Sequence, residues 1–291
     1  MNRTNRSRAI TEHVMKAGSA SVSELAVQLG VSTMTVHRDL AVLEQQSVIR
    51  RYRGGASALP SSVFESNIGF RMATMRDEKA AIAVLAFSLV EPGMSVMLDE
   101  GSTALAVAQR LTQIAPLTVV THFLGAITVL KEHRDLRVVG IGGVYSHSHD
   151  AFLGLQCIES VADLRTDILF LSTSAVSDGT AFHQEQEVVE VKRAMMNSAS
   201  KRILLVDSSK FGKTALHRFS PLSAFDLLIT DWRVPEEVLD DLKAQGLNFQ
   251  VAAPLETGRG SRGKDQLEDR TSVPGASRSA QASGHETAGS P

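Results

Sequence analysis

Val31-Ser32-Thr33-Met34-Thr35-Val36-His37-Arg38-Asp39-Leu40 decides how the first part of the chain is read. Gly30, just before it, suits the C′ position of one helix, and Ser32 suits the N-cap of the next. Within that second helix Val36, Leu40 and Leu43 recur at i, i+4 and i+7, which makes one buried stripe. Met34, Arg38, Ala41 and Gln45 fall on the other side, flanked by Thr33, Thr35 and His37. Few of these are bulky, and several carry donors that reach base edges or phosphates. Two short helices around a Gly-containing turn, the second polar on its outer face, form the pattern of a helix-turn-helix.

Any amphipathic helix has a solvated face, so the flanking residues must carry part of the reading. Upstream, Ile10, Val14 and Ala17 share a helical face that Gly18 ends. Residues 19–22 suit a short strand, and Ser23 suits the cap of a helix over 24–29. Downstream, residues 48–55 alternate weakly and close on Gly54-Gly55, which predicts the second strand of a two-stranded wing. Its cations, Arg50, Arg51 and Arg53, are suited to phosphates more than bases. The candidate DNA contacts are therefore Ser32, Thr33, Thr35, His37, Arg38, Arg51 and Arg53. One such unit reads only a few base pairs, so a homo-oligomer on repeated half-sites is expected.

Charge supports a division of labour. Residues 1–58 hold eight Arg and Lys against four Asp and Glu, net +4, which leaves −6 for the rest of a chain of net charge −2. A basic small domain on a mildly acidic larger one suits a reader of double-stranded DNA joined to a ligand-binding body. The longest apolar run, residues 80–90, is too short to span a bilayer. The first eight residues are polar and basic with no apolar stretch behind them, so no secretory signal is expected. A single cysteine, Cys157, excludes an internal disulfide framework and fits a reducing compartment; the expected location is cytoplasmic.

Residues 59–76, Ser-rich at the start and interrupted by Pro60, predict a linker leading into a short helix. From 77 to 253 helical and strand patterns alternate: a helix over 78–90, strands over 95–98, 117–121, 137–141, 167–171, 201–206 and 225–230, and helices between them. That alternation predicts an α/β domain with a mainly parallel, doubly wound sheet. From 254 to 291 Gly, Ser, Arg, Glu and Ala dominate, and the expectation is a disordered tail.

Open parallel sheets bind ligands at the carboxyl ends of their strands. Asp99-Glu100-Gly101-Ser102-Thr103 stands at such an end: glycine for close approach, two hydroxyls, and the amides of the next helix, an anion site suited to phosphate. Gly142-Gly143 closes a second strand, and Asp207-Ser208-Ser209-Lys210 a third, with Lys210 as a cation for another polar end. Lys192, with Glu187 or Glu190, is a candidate to orient sugar hydroxyls. His147 and His149 project to one face if extended, but without supporting third and fourth ligands no metal is expected. Cys157 has no neighbouring activator and reads as packing.

Two sets of residues resemble one family. Ser32 to Leu40, Leu43-Glu44 and Arg51-Tyr52-Arg53-Gly54-Gly55-Ala56 look like the DNA-binding domain of the DeoR family of bacterial regulators, with Arg53 where a His is common. Leu98-Asp99-Glu100-Gly101-Ser102-Thr103, Val119-Val120-Thr121, Gly142-Gly143, Val191 to Met195 and Asp207 to Phe211 resemble its effector domain, similar in fold to ribose-5-phosphate isomerase. The resemblance implies a transcriptional regulator, a repressor of sugar or polyol metabolism, that responds to a phosphorylated sugar or polyol and needs no cofactor. The alternative is a phosphosugar isomerase or deaminase carrying a DNA-binding domain, with Asp207 or a nearby carboxylate as base. The sequence departs from the family at Ser172 and Ala175, which replace loop glycines, at His122, which replaces an Asn, and at Val188, which replaces an acid.

Overall fold

The computed structural model describes residues 3–45, 48–58 and 68–255; the first part of the expected linker and nearly all of the expected tail lie outside them. Helix α1 (Arg3–Ala17) is stopped by Gly18 at φ 79°. Strand β1 (Ser19–Ser21) leads into α2 (Val22–Leu29), and Gly30, left-handed at φ 63°, ends α2 as expected. The cap of α2 is Ser21 rather than Ser23. Ser21 Oγ accepts from the Glu24 amide at 3.1 Å while Glu24 Oε2 accepts from the Ser21 amide at 2.8 Å. That reciprocal box requires the Ser three residues before the Glu, a spacing only Ser21 has.

Helix α3 (Thr33–Gln45) follows, with Ser32 Oγ accepting from the Thr35 amide at 3.3 Å. Strands β2 (Ile49–Tyr52) and β3 (Gly55–Ala58) pair antiparallel, turning through Gly54 at φ 91°. The two-stranded wing is thus a three-stranded sheet of order β1-β3-β2, in which the glycine pair makes the turn and the run beyond it becomes the central strand. Ile10, Val14, Leu25, Val36, Leu40 and Ile49 close an apolar core beneath these elements.

Helices α4 (Ile68–Ala73) and α5 (Arg76–Phe87) lead into the α/β body. In chain order come β4 (Ser95–Leu98), α6 (Ser102–Leu111), β5 (Leu117–Thr121), α7 (Leu124–Leu130) and β6 (Leu136–Gly140). A hairpin of β7 (Val144–Ser146) and β8 (Ala151–Leu153) precedes α8 (Leu155–Ala162) and β9 (Thr166–Ser172). Then β10 (Ala175–Ser177), β11 (Thr180–His183), α9 (Gln186–Asn197), β12 (Ala199–Leu205), β13 (His217–Pro221), β14 (Leu227–Asp231), α10 (Glu236–Ala244) and β15 (Phe249–Ala252) complete it.

Seven of these strands form one parallel sheet of order β15-β14-β12-β9-β4-β5-β6. Alternate residues face opposite layers: Val96 and Leu98 join the core under α5, α6 and α7, while Met97 joins the core under α8, α9 and α10. Both faces are covered, which is why these strands read as apolar runs rather than as alternation. Strands β10, β11 and β13 make a separate antiparallel sheet that sequence periodicity did not reveal. The chain leaves β4 toward β5 on one side and returns to β9 on the other, so a crevice opens at the carboxyl ends of β4 and β9.

Candidate functional site

On the DNA-binding side, α3 turns Val36, Leu40 and Leu43 inward and leaves Thr33, Met34, His37 and Arg38 exposed. Ser32 and Thr35 share a hydroxyl hydrogen bond of 3.0 Å, so these two build the helix start as well as bordering the exposed face. Arg53 is exposed at the β2–β3 turn. Arg51 is also exposed, but Glu44 holds its amide (3.0 Å) and stands 3.7 Å from its guanidinium, an attachment between α3 and the wing. Asp39, which the helical pattern left unexplained, is buried and accepts from Arg6 Nε at 2.8 Å, tying α3 to α1.

In the body, a polar cavity opens in the crevice beyond β4 and β9, with Ser102, Thr103, Ser172, Thr173, Asp207 and Lys210 on its wall. Gly101 is the N-cap of α6 and no side chain caps that helix, so its first amides lack the usual oxygen partner. A Cβ on Gly101 would overlap the Ser172 side chain and lie 2.9 Å from Asp99 Oδ1, so only glycine permits this close packing of two strand ends.

The structure gives Asp99 and Lys192 a different place from Ser102, Thr103 and Lys210. Asp99 is fully buried; its carboxylate accepts from the Ser172 amide (2.6 Å), Ser172 Oγ (2.9 Å), the Gly101 amide (3.0 Å) and Lys192 Nζ. Lys192 Nζ also lies 3.0 Å from Glu100 Oε1. Burial alone would lower the Lys192 pKa, but Asp99 and Glu100 outweigh it and raise it. Burial likewise works against the Glu100 carboxylate, and Lys192 and His122 outweigh it to hold that pKa well below the usual range. These groups do not line the cavity; Asp99 holds Ser172, which does. Glu187 and Glu190 are exposed on α9 away from that buried pair. Gly142 and Gly143 are not on the cavity wall; Gly143, at φ 153°, backs onto Leu153 O instead. Asp207 caps the 3-10 turn Ser208–Lys210 through Ser209. Burial opposes its charge, and Lys210 and Lys79 outweigh that to lower its pKa.

Sequence reasoning missed four contributors: Arg71, Lys79, His183 and the buried position of His149. His149 separates from His147, which stacks edge-on against Tyr145 at 4.8 Å, and joins Glu100 and His183, with candidate ligand atoms within 4.8 Å of one another. The residue types suit a metal, yet the hydrogen bonds do not. Arg71 Nη2 faces His149 Nδ1 at 3.4 Å and the Glu185 amide donates to His183 Nδ1 at 3.2 Å. Guanidinium and amide are donors only, so each ring accepts at Nδ1 and carries its proton on Nε2. The pair offers N–H groups, not lone pairs. Burial and Lys192 push His183 down to about 3, which keeps it neutral. His122, lowered by burial against the pull of Glu100, lies with Nε2 3.1 Å from Glu100 Oε2. Cys157 is buried, and burial with Glu100 pushes its thiol up to about 12, so it packs and does not react.

Comparison with known proteins places this geometry. Residues 6–62 match a DeoR-like helix-turn-helix domain and residues 74–232 match a DeoR C-terminal sensor domain. The HTH-type transcriptional regulator YgbI of Escherichia coli K12 is 34% identical over 247 residues, covering 85% of this chain and 97% of that one. The glycerol-3-phosphate regulon repressor of the same strain is 32% identical over 252 residues, covering 86% and 100%. Among solved structures, ribose 5-phosphate isomerase A of Methanocaldococcus jannaschii is 19% identical, with a TM-score of 0.34 over 46% of this chain and 53% of that one, too distant to bear on the site. No helix among the described residues is long and apolar enough to cross a membrane. With both domains matched and relatives above 30% identity aligned over nearly their whole length, the chain belongs to the DeoR family of DNA-binding transcriptional regulators.

Proposed function

We propose that the chain is a cytoplasmic repressor of sugar or polyol genes whose hold on its operator is set by a phosphorylated sugar or polyol in the crevice cavity. The observation that carries this reading is the uncapped N-terminus of α6 opening into a cavity that also presents Ser102, Thr103 and Lys210. A phosphate dianion there gains both the aligned amides and the helix dipole. The hydroxyls of the sugar then meet Ser172, Thr173 and the Nε2–H of His183. Regulation requires differential affinity: the effector must bind one arrangement of the DNA-binding unit better than another. Named relatives that repress a glycerol-3-phosphate regulon and a lactose phosphotransferase system are consistent with this ligand class.

Turnover is the weaker reading. A general base must be free to take a proton. Asp99 and Glu100 are tied to Lys192, and Asp207 to Ser209 and the nearby lysines. Sensing without catalysis follows.

Calorimetry on the full-length protein with a panel of sugars and their phosphate esters tests the proposal. The ester binds and the free sugar does not, and Thr103→Glu, which sets a carboxylate in the phosphate's place, abolishes binding of the ester. Equal binding of sugar and ester, or an unaffected Thr103→Glu variant, refutes the site. Light scattering on the same sample reports more than the monomer mass if two-fold pairing on repeated half-sites is right.

A further inference from the structure

We infer that Arg71 is an anion-binding residue of the effector cavity and that α4, which carries it, links an occupied cavity to the DNA-binding core. This rests on the cavity being the effector site.

Helix α4 is only six residues long, yet it is fastened in three directions. Ile68 packs against the core beneath α5, α6 and α7, and its amide donates to Ser148 O at 2.9 Å. Phe70, 8% exposed, packs into the other core, the one made by α1, α2 and α3 with Ile10, Leu25 and Leu40. Arg71, 7% exposed, lines the cavity beside Ser102, Thr103 and Lys210. Lys79 holds the end of the helix from α5, donating to Arg71 O and, at 2.9 Å, to Thr74 O.

The guanidinium is the unusual member. A buried charge is normally paired, because desolvation otherwise goes uncompensated. Among the described residues no carboxylate lies within ion-pair distance of Arg71, and its Nε has no hydrogen-bond partner. Its Nη2 has the long 3.4 Å contact to His149 Nδ1. A planar fork of donors, desolvated and facing a cavity already lined by hydroxyls and a lysine, matches a phosphate oxygen pair. Lone packing does not account for it, since an apolar side chain would fill the same space without an orphaned donor.

The neighbouring residue makes the site more than a pocket. Phe70 and Arg71 are adjacent on one rigid turn, about 100° apart around the axis. Any shift of α4 that brings the guanidinium onto an anion must also move the ring that fills the DNA-binding core. Close-packed cores respond to such a shift by repacking rather than by yielding smoothly.

The test uses the full-length protein, inorganic phosphate as the probe, and a duplex recovered by selection from a random pool. Arg71→Gln should weaken phosphate binding by tenfold or more, with Arg71→Lys intermediate. Phe70→Leu should keep phosphate affinity within about twofold of the parent while reducing, by fivefold or more, the change in duplex affinity that saturating phosphate causes. Phosphate binding unchanged in both Arg71 variants overturns the anion role. Full coupling in Phe70→Leu overturns the link. If Thr103→Glu abolishes phosphate binding while Arg71→Gln does not, the cavity stands and this inference alone falls; a parent that binds no phosphate sinks both.

Discussion

The DNA-binding unit and the sensor body treat polar groups in opposite ways. In the first, Thr33, His37, Arg38 and Arg53 stand in water over a core of mainly aliphatic side chains, with Thr11 and Asp39 buried among the described residues. In the second, Asp99, Glu100, His122, His149, His183 and Lys192 are all at most 2% exposed, with Asp99 and Glu100 paired to Lys192 and His122 to Glu100. The difference follows from what each must bind. A duplex is large and reaches any exposed donor, and its phosphates are found by long-range attraction. A small ligand must be surrounded, so its partners lie inside, where low dielectric strengthens each contact and makes each unmatched one costly. Substitutions should therefore cost binding alone in the first region and folding as well in the second.

The largest effect breaks the buried side. Lys192→Met leaves Asp99 and Glu100 without their cation and should destabilise the fold by about 3–5 kcal/mol. Urea unfolding measures it, and a loss below about 1 kcal/mol would show that the buried pair does not depend on Lys192.

The exposed side is sharpened by Arg38→Ala. Specific duplex binding should weaken by about 1–3 kcal/mol at fixed salt if Arg38 reads a base. Its unfolding midpoint should stay within about 0.5 kcal/mol of the parent, as for a surface site. Operator binding as tight as the parent's would remove α3 from the role of reader.

Acid supplies the smallest test. His183 is held neutral, its pKa near 3 through burial and Lys192, whereas an unfolded chain protonates histidine near 6.5. The unfolded state then binds more protons, so this contribution is fully present above about pH 6.5 and is lost as pH falls from there toward 3. Between pH 8 and pH 6 the loss is about 1 kcal/mol. His183→Gln should flatten that part of the stability curve; an identical acid drop in parent and variant would assign it to other groups.

What the sequence by itself determined is what short-range periodicity encodes. Val36, Leu40 and Leu43 marked the buried stripe of α3, Gly30 and Ser32 its boundary, and 95–98 and 117–121 two strands of the parallel sheet. Gly101-Ser102-Thr103 marked a strand-to-helix corner for the same reason: glycine and hydroxyls there are a local requirement. Only the tertiary structure decided which corners meet. Lys192 reaches Asp99 across 93 positions, and Arg71 reaches His149 across 78. The first meeting depends on the strand order β9-β4-β5, which seats the end of β4 against the end of β9, and the second on α4 bringing Arg71 onto the same cavity wall. Local propensity does not contain strand order, because order is settled by which apolar faces pack together once the whole chain has collapsed.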